Sequence, residues 1–358
     1  MRAVVYSAYG EPPVVADVPA PVAPDGGAVI EVRATGVCRS DWHAWRGHEP
    51  VPLPHTPGHE LAGIVAEVGA GVTRRRAGDR VTVPFVCGCG GCAYCRAGDA
   101  QVCPHQTQPG FTGPGSFAER VVIHAADTNL VALPESLDFV TAASLGCRFA
   151  TAYRALTAHG RLAAGDWLAV HGCGGLGLSA VQIGVALGAR VVAVDIAPAA
   201  LALATELGAA HAVDATADPD PAATVASLTG GGATVSVDAL GSPGTAAASV
   251  RGLRRRGRHV QVGLLPAGPA PLPMDVVIAR ELSIHGSHGM AAADYPPLLA
   301  LVADGTLRPD LLVSKVIGIE DAPAALTAMD HPPTEPGMTV IAFRAVFGCA
   351  RLEDRVVL

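Results

Sequence analysis

The segment 167–195 constrains this chain more than any other. Residues 167–170 form a short apolar run of the length of a buried strand. Gly172, Gly174, Gly175 and Gly177 follow, with Leu176 among them, and then a Gly/Ala-rich segment of helical length, 178–187. A second β-branched run, 191–194, ends on Asp195. The order strand, glycine turn, helix, strand, acid is that of a βαβ unit that grips a dinucleotide. In such a unit Gly172 allows the tight turn, Gly174 lets backbone approach a pyrophosphate, and Gly177 lets the helix pack closely on the sheet. The N–H groups and dipole at the helix start favour the anion. Asp195 lies 18 residues past Gly177, near the ~20 expected of a carboxylate that bonds the adenosine ribose. Ile196, Ala197 and Pro198 follow it with no Arg among them, which favours NAD over NADP. The uncharged stretch 167–189 is also long enough, at ~20 residues, to be weighed as a membrane span. Clustered glycines between two differently patterned runs exclude that reading.

A chain of 358 residues, half hydrophobic and only 16% charged, implies about two domains with large cores. A net charge of −7 argues against nucleic acid and anionic membranes as partners. The two short basic clusters, at 74–76 and 254–258, read as solvated loop charges beside turn glycines. The start of the chain has no basic-then-apolar signal region, so a cytoplasmic location is expected. Residues 1–148 are β-rich and irregular: runs at 28–32, 64–68, 80–83 and 120–123 are separated by Gly, Pro and Asp, as in a compact barrel with long loops. From 149 to 282 the texture changes to apolar runs alternating with Ala-rich helical segments. Strands of a doubly wound sheet are expected at 191–194, 210–213, 234–238 and 259–262. From 283 the mixed texture returns, with helices expected at 295–304 and 322–329.

Nine cysteines are an odd number, and five fall between 87 and 103. In a reducing compartment such crowding reads as metal ligation. Cys89, Cys92, Cys95 and Cys103 have spacings of two, two and seven intervening residues. Four thiolates on one loop can wrap a structural zinc. The rival, an iron–sulfur cluster, wants three residues before its last cysteine rather than seven. Cys87 stands outside the set.

A second constellation packs Cys38, Ser40, Asp41 and His43 into six residues, and His59 and Glu60 follow within a Gly58–Gly63 segment. Together with the cysteine loop and the glycine turn, these residues resemble the zinc-dependent alcohol dehydrogenases of the medium-chain dehydrogenase/reductase superfamily, over nearly the whole chain to about Phe343. The resemblance implies an α/β plus β architecture: a GroES-like β-barrel catalytic domain, 1–148 and 283–358, and a Rossmann dinucleotide-binding domain, 149–282. It implies that Cys38, His59 and Cys147 hold a catalytic zinc, with one position left for water or substrate. A second, structural zinc would lie in the cysteine loop. Asp41 would orient His59, Ser40 would bond the alcohol held at the metal, and His43 would pass the proton on. Arg39 corresponds to a pyrophosphate-contacting residue, and Glu60 to a carboxylate behind the zinc that can act as an alternative ligand. Trp45 and Phe85 match positions that line the alcohol channel, where large rings favour small or flat substrates. Trp42 and Cys173 read as packing residues, and His48, His55 and His105 as surface histidines. The implied activity is reversible hydride transfer between a primary or secondary alcohol, aromatic ones included, and NAD, in a homodimer or homotetramer associating near 282–285.

Three rivals are weighed against it. A polyol or sugar-alcohol dehydrogenase of the same fold often carries Glu where this chain offers Cys147. A zinc-free quinone or enone reductase would lack Cys38, His59 and the cysteine loop. A non-catalytic dinucleotide-binding protein with structural zinc only would not need the Cys38, Ser40, Asp41 and His43 set.

Overall fold

The computed structural model describes residues 1–265, 268–331 and 335–343; the tail 345–358 lies outside them. The strands are β1 (Arg2–Val5), β2 (Val14–Asp17), β3 (Ala28–Val37), β4 (Glu60–Val68), β5 (Arg80–Thr82), β6 (Arg120–Ile123), β7 (Val131–Ala132), β8 (Trp167–His171), β9 (Arg190–Asp195), β10 (His211–Asp214), β11 (Ala233–Asp238), β12 (Leu253–Gln261), β13 (Ser283–Gly286), β14 (Val313–Ile317) and β15 (Met338–Ala342).

The first domain is built around β3. Its ten residues are almost continuously buried, and they pair antiparallel with β4, β6 and β15. The sheet runs β14-β15-β3-β4-β5-β7, with β6 also on β3. The alternation that marks 28–32 and 120–123 in the sequence places Ile30, Val32, Val121 and Ile123 in one core with Leu61, Val65 and Val81. The last described strand returns to this sheet, so the domain is composed of the two ends of the described chain.

The second sheet is wholly parallel, in the order β10-β9-β8-β11-β12-β13. Numbered within the domain this is 3-2-1-4-5-6, the doubly wound order whose direction reverses between β8 and β11. A ligand crevice is expected beyond the carboxyl ends of those two strands, and the glycine turn follows β8 there. The sheet takes in Ser283–Gly286 through pairing of β13 with β12, which corrects the domain boundary expected at 282: a four-residue strand carries too little pattern to be read alone. The basic cluster at 254–258 also lies on β12 and not in a loop, although Arg254, Arg255 and Arg256 are exposed. An irregularity in the β11–β12 register at that point disguises the strand.

Between the sheets the chain runs through the Phe139–Ala143 helix, a π turn at Leu145–Phe149 and the Ala150–Arg154 helix. Their apolar residues join Ala34 and Ala62 of the barrel to Leu168, Val170, Val235 and Val237 of the parallel sheet in one cluster. Among the described residues no helix is long and apolar enough to cross a membrane.

Two glycines of the turn do different work. Gly172 has φ +89°, a left-handed conformation that an L side chain adopts only with strain. A Cβ on Gly177 would overlap the Gly172 carbonyl oxygen, whereas one on Gly174 would meet nothing within 4 Å. Gly177→Ala is therefore expected to cost about 1–3 kcal/mol of stability through overpacking. Gly174→Ala, at the helix N-cap, should cost at most about 1 kcal/mol. Thermal and denaturant unfolding of the two variants side by side check this; equal losses would refute it.

Candidate metal and dinucleotide site

Three elements converge on one buried carboxylate. Cys38 ends β3 and caps the Arg39–Trp45 helix. Asp41, in the first turn of that helix, is fully buried. It accepts from the backbone N–H of Cys38 at 3.0 Å, from that of Gly58 at 3.0 Å, and from His59 Nδ1 at 2.9 Å. A carboxylate only accepts, so Nδ1 carries a proton, and in the neutral ring the free lone pair falls on Nε2. That Nε2 is buried with no hydrogen-bond partner. A ring nitrogen of His59 lies within 4.8 Å of the Cys38 and Cys147 sulfurs and a Glu60 oxygen, as these ligand atoms all do of one another; with Nδ1 turned to Asp41, Nε2 is the nitrogen free to ligate. Cys147 arrives on the Leu145–Phe149 π turn; such widened turns are frequent at functional sites.

The electrostatics favour a cation among these groups. Burial disfavours charge on His59, but Asp41, then the Cys38 sulfur, reverse this and raise its pKa well above the ordinary imidazole value. The Cys38 thiol is held well below its usual range, first by a hydrogen bond from Cys147 and then by the Arg148 guanidinium and His59. Two thiols and one imidazole lone pair suit a tetrahedral zinc that keeps one open position. Glu60, whose carboxyl is pushed up by burial against the opposing pull of Arg148, is paired with that guanidinium: Arg148 Nε donates to Oε1 at 3.0 Å, and Nη2 donates to Oε2.

The cysteine loop forms a separate cluster. Cys89 and Cys95 Sγ are 4.0 Å apart, and Cys92 and Cys103 Sγ 3.7 Å. Four sulfurs at ~2.3 Å around a central zinc would lie ~3.8 Å from one another, whereas a disulfide would hold two at ~2.05 Å. Backbone N–H groups of Cys89 and His105 donate to Cys103 Sγ at 3.4 and 3.3 Å. Those of Gly91 and Cys92 draw the Cys89 thiol down to about 6. All four ligand atoms lie within 4.8 Å of one another. Cys87 is instead buried in the barrel core, its thiol pushed up to about 12 by burial.

Around the first cluster, the Ser40 hydroxyl stands 3.9 Å from Cys38 Sγ. His43 is half-buried and meets His48 with Nδ1 atoms 3.0 Å apart, and Trp42 stands edge-on to both rings. Burial, then the neighbouring His48 and Arg39, lower the His43 pKa below the ordinary value. Arg39 lies over the Trp42 ring and donates to the Met329 carbonyl. Phe85 faces the His59 ring at 6.1 Å and His288 at 5.1 Å. Trp45 is only 3% exposed: its ring belongs to a core cluster with Tyr6, Val51 and Phe111, and its N–H is given to the Glu11 carbonyl at 2.6 Å. His48 and His105 are exposed. His55 is not, which corrects the surface reading: it is buried against Tyr6, with Nε2 2.8 Å from the Gly110 carbonyl.

At the glycine turn, Gly174 caps the Gly175–Ala186 helix and leaves open space on its outer side. Leu176 packs against the shared core, and Cys173 is buried. Asp195, at the end of β9, accepts from the N–H of Ile196 at 2.7 Å and Ala197 at 2.8 Å through Oδ1, and from Cys173 through Oδ2. Three neighbours of the site escape sequence reasoning. Phe111 lies 5.2 Å from the His59 ring, and His288 reaches the cluster through Phe85. Arg148 alone had a signal, as one charge in the otherwise apolar stretch 144–150.

Known proteins resemble this chain in sequence and fold. Residues 24–135 match the family model of the alcohol dehydrogenase GroES-like domain, and residues 175–304 that of the zinc-binding dehydrogenases. An alcohol dehydrogenase of Geobacillus stearothermophilus is 36% identical over 324 residues, 90% of this chain and 94% of that one. An alcohol dehydrogenase of Rhizobium meliloti is 38% identical over 325 residues, 89% and 93% of the two chains. Among solved structures, an alcohol dehydrogenase from Thermus sp. ATN1 superposes with a TM-score of 0.89 at 32% identity, covering 96% of this chain and all of that one. With the doubly wound sheet, the barrel and both ligand clusters in place, the chain belongs to the zinc-dependent alcohol dehydrogenases of the medium-chain dehydrogenase/reductase superfamily.

Proposed function

We propose that this alcohol dehydrogenase uses NAD and two zinc ions per chain, with the residues around His59 as its catalytic centre. The observation that carries the reading is the buried, unpartnered Nε2 of His59 beside the Cys38 and Cys147 sulfurs. Cys38, His59 and Cys147 would hold the catalytic zinc, and Cys89, Cys92, Cys95 and Cys103 the structural one. Zinc bound at the first site lowers the pKa of an alcohol hydroxyl, or polarises a carbonyl in the reverse direction.

The chain's own groups do the rest. Asp41 keeps the His59 ring in the ligating tautomer. Ser40, beside Cys38, accepts a hydrogen bond from the substrate hydroxyl and takes its proton outward. His43, three residues on along the same helix face, is neutral at pH 7 because its pKa is lowered, and so it can receive that proton and release it to solvent. Arg148 holds Glu60 beside the ligands. Phe85, with Phe111 and His288, walls the substrate side, and Trp45 backs that wall. Flat aromatic or small primary and secondary alcohols suit such rings. Gly172, Gly174, Gly175, Leu176 and Gly177 would seat the pyrophosphate with Arg39, and Asp195 the adenosine ribose. A 2′-phosphate would meet the Asp195 carboxylate with no arginine among the three residues that follow it, which favours NAD. Self-association through the outer edge of β13 would give a dimer or tetramer.

Purified protein is expected to contain two zinc ions per chain and to reduce NAD, in preference to NADP, with a panel of simple and aromatic alcohols; absorbance of the reduced cofactor and elemental analysis measure both. One zinc per chain and no turnover would sink the catalytic assignment. Asp41→Asn should lower metal affinity or activity about 10–100-fold, read as zinc retained after dialysis against a mild chelator. His43→Gln should slow alcohol oxidation by up to about 10²-fold. In the parent enzyme the acid limb assigned to His43 should fall below pH 6.5, since its folded pKa is lowered: the ring is a competent acceptor above that pKa and loses the capacity as pH falls through it. A limb above pH 6.5 would contradict the assignment.

A further inference from the structure

Arg148 is a charged group that touches both halves of the proposed site. Through Nε, Nη2 and its own backbone N–H it donates to the buried Glu60 carboxylate. Three glycines from three elements make room for the pair. A Cβ on Gly36 of β3 would overlap Glu60 Oε2, and one on Gly146 of the π turn would lie 2.9 Å from Glu60 Cα. A Cβ on Gly175, the first residue of the nucleotide-side helix, would lie 2.7 Å from Arg148 Cδ and 3.1 Å from Nη1. The guanidinium has five N–H donors, and among the described residues none of the protein's acceptors takes those on Nη1. A cation with unspent donors therefore sits beside the helix N-terminus where the backbone favours an anion.

The geometry points to Arg148 as a shared ligand, held by Glu60 when the nucleotide site is empty and drawn to the pyrophosphate when a dinucleotide binds. The inference rests on the dinucleotide reading of the glycine turn given above. Its consequence is competition. Glu60 lies within 4.8 Å of the Cys38, His59 and Cys147 ligand atoms, so an arginine pulled toward the pyrophosphate releases a carboxylate next to the metal ligands. Coupling of this kind is reciprocal: whatever loosens Glu60 must strengthen nucleotide binding.

The test is a double-mutant cycle on NADH affinity, followed by NADH fluorescence in the full-length, zinc-loaded protein, with adenosine as a probe that lacks phosphate. Glu60→Gln removes the competitor without touching the nucleotide side, and should tighten NADH about 5-fold or more while leaving adenosine unchanged. In the Arg148→Gln background the same change should have no effect, and the double variant should bind NADH more weakly than the parent. The double variant leaves no unpaired buried charge, so it serves even if Arg148→Gln alone fails to fold. Unchanged or weaker NADH binding by folded, zinc-replete Glu60→Gln would overturn the inference, as would an equal shift for adenosine. A parent protein that binds no NADH would instead overturn the dinucleotide reading itself.

Discussion

The Asp41 carboxylate is the contact on which the site depends. It is a full charge removed from water, and it is tolerable because three N–H groups converge on it. Hydrogen bonds to a charged acceptor contribute about 1.5–3 kcal/mol each, and here they come from a strand end, a loop and a side chain. One carboxylate thus ties the end of β3 to the segment that carries His59, and sets the ring's orientation and tautomer as well. The pairing of β3 with β4 brings Gly36 opposite Glu60 and so delivers both segments to the same place. Arg148 answers the buried Glu60 carboxylate, and the Cys38 and Cys147 sulfurs beside His59 remain as the donor set that the proposed zinc would draw on.

The third member of the proposed ligand set, Cys147, comes from a different layer. Cys147 and Arg148 are neighbours on the π turn between the sheets, within the apolar cluster that both domains share. The Tyr295 hydroxyl donates to the Gly146 carbonyl at 3.1 Å, satisfying an acceptor that the widened turn leaves exposed to an apolar core. The carboxyl ends of β8 and β11, where the parallel sheet reverses its winding, lie on the nucleotide side of this seam. The proposed metal ligands and the glycine turn are therefore bound to one packed block, and close packing transmits a shift in either to the other.

Much of this was legible in the sequence wherever chemistry depends on short spacing. The glycine turn, the cysteine loop and the segment around Cys38 each need a few residue types within a dozen positions, and local geometry does the rest. Short apolar and β-branched runs located β3–β6 and β8–β12, with ends a few residues astray, but not β2, β7, β14 or β15. What escaped notice comes from long-range packing. The Arg148–Glu60 pair spans 88 residues: a lone charge in an apolar stretch marks Arg148 as unusual, but nothing local names its partner. Phe111 and His288 approach through folding alone, and His55 is buried because Tyr6 and the Gly110 carbonyl close over it. β13 eluded recognition because its neighbour β12, rather than its own four residues, makes it a strand.

The return of β15 to β3 has a consequence for how the molecule is assembled. The parallel sheet is drawn from one continuous stretch, 167–286, and each strand has its neighbours within that stretch. The barrel is different: β3, which presents Cys38, lacks its β15 partner until residues 338–342 have been made. As the chain leaves the ribosome, the inserted domain can close first, as domains generally fold as units in order of synthesis. Cys38 meanwhile waits in a sheet that is still missing a strand. The proposed Cys38 cluster is in this sense enclosed late, in a barrel whose strands were made before and after the inserted domain.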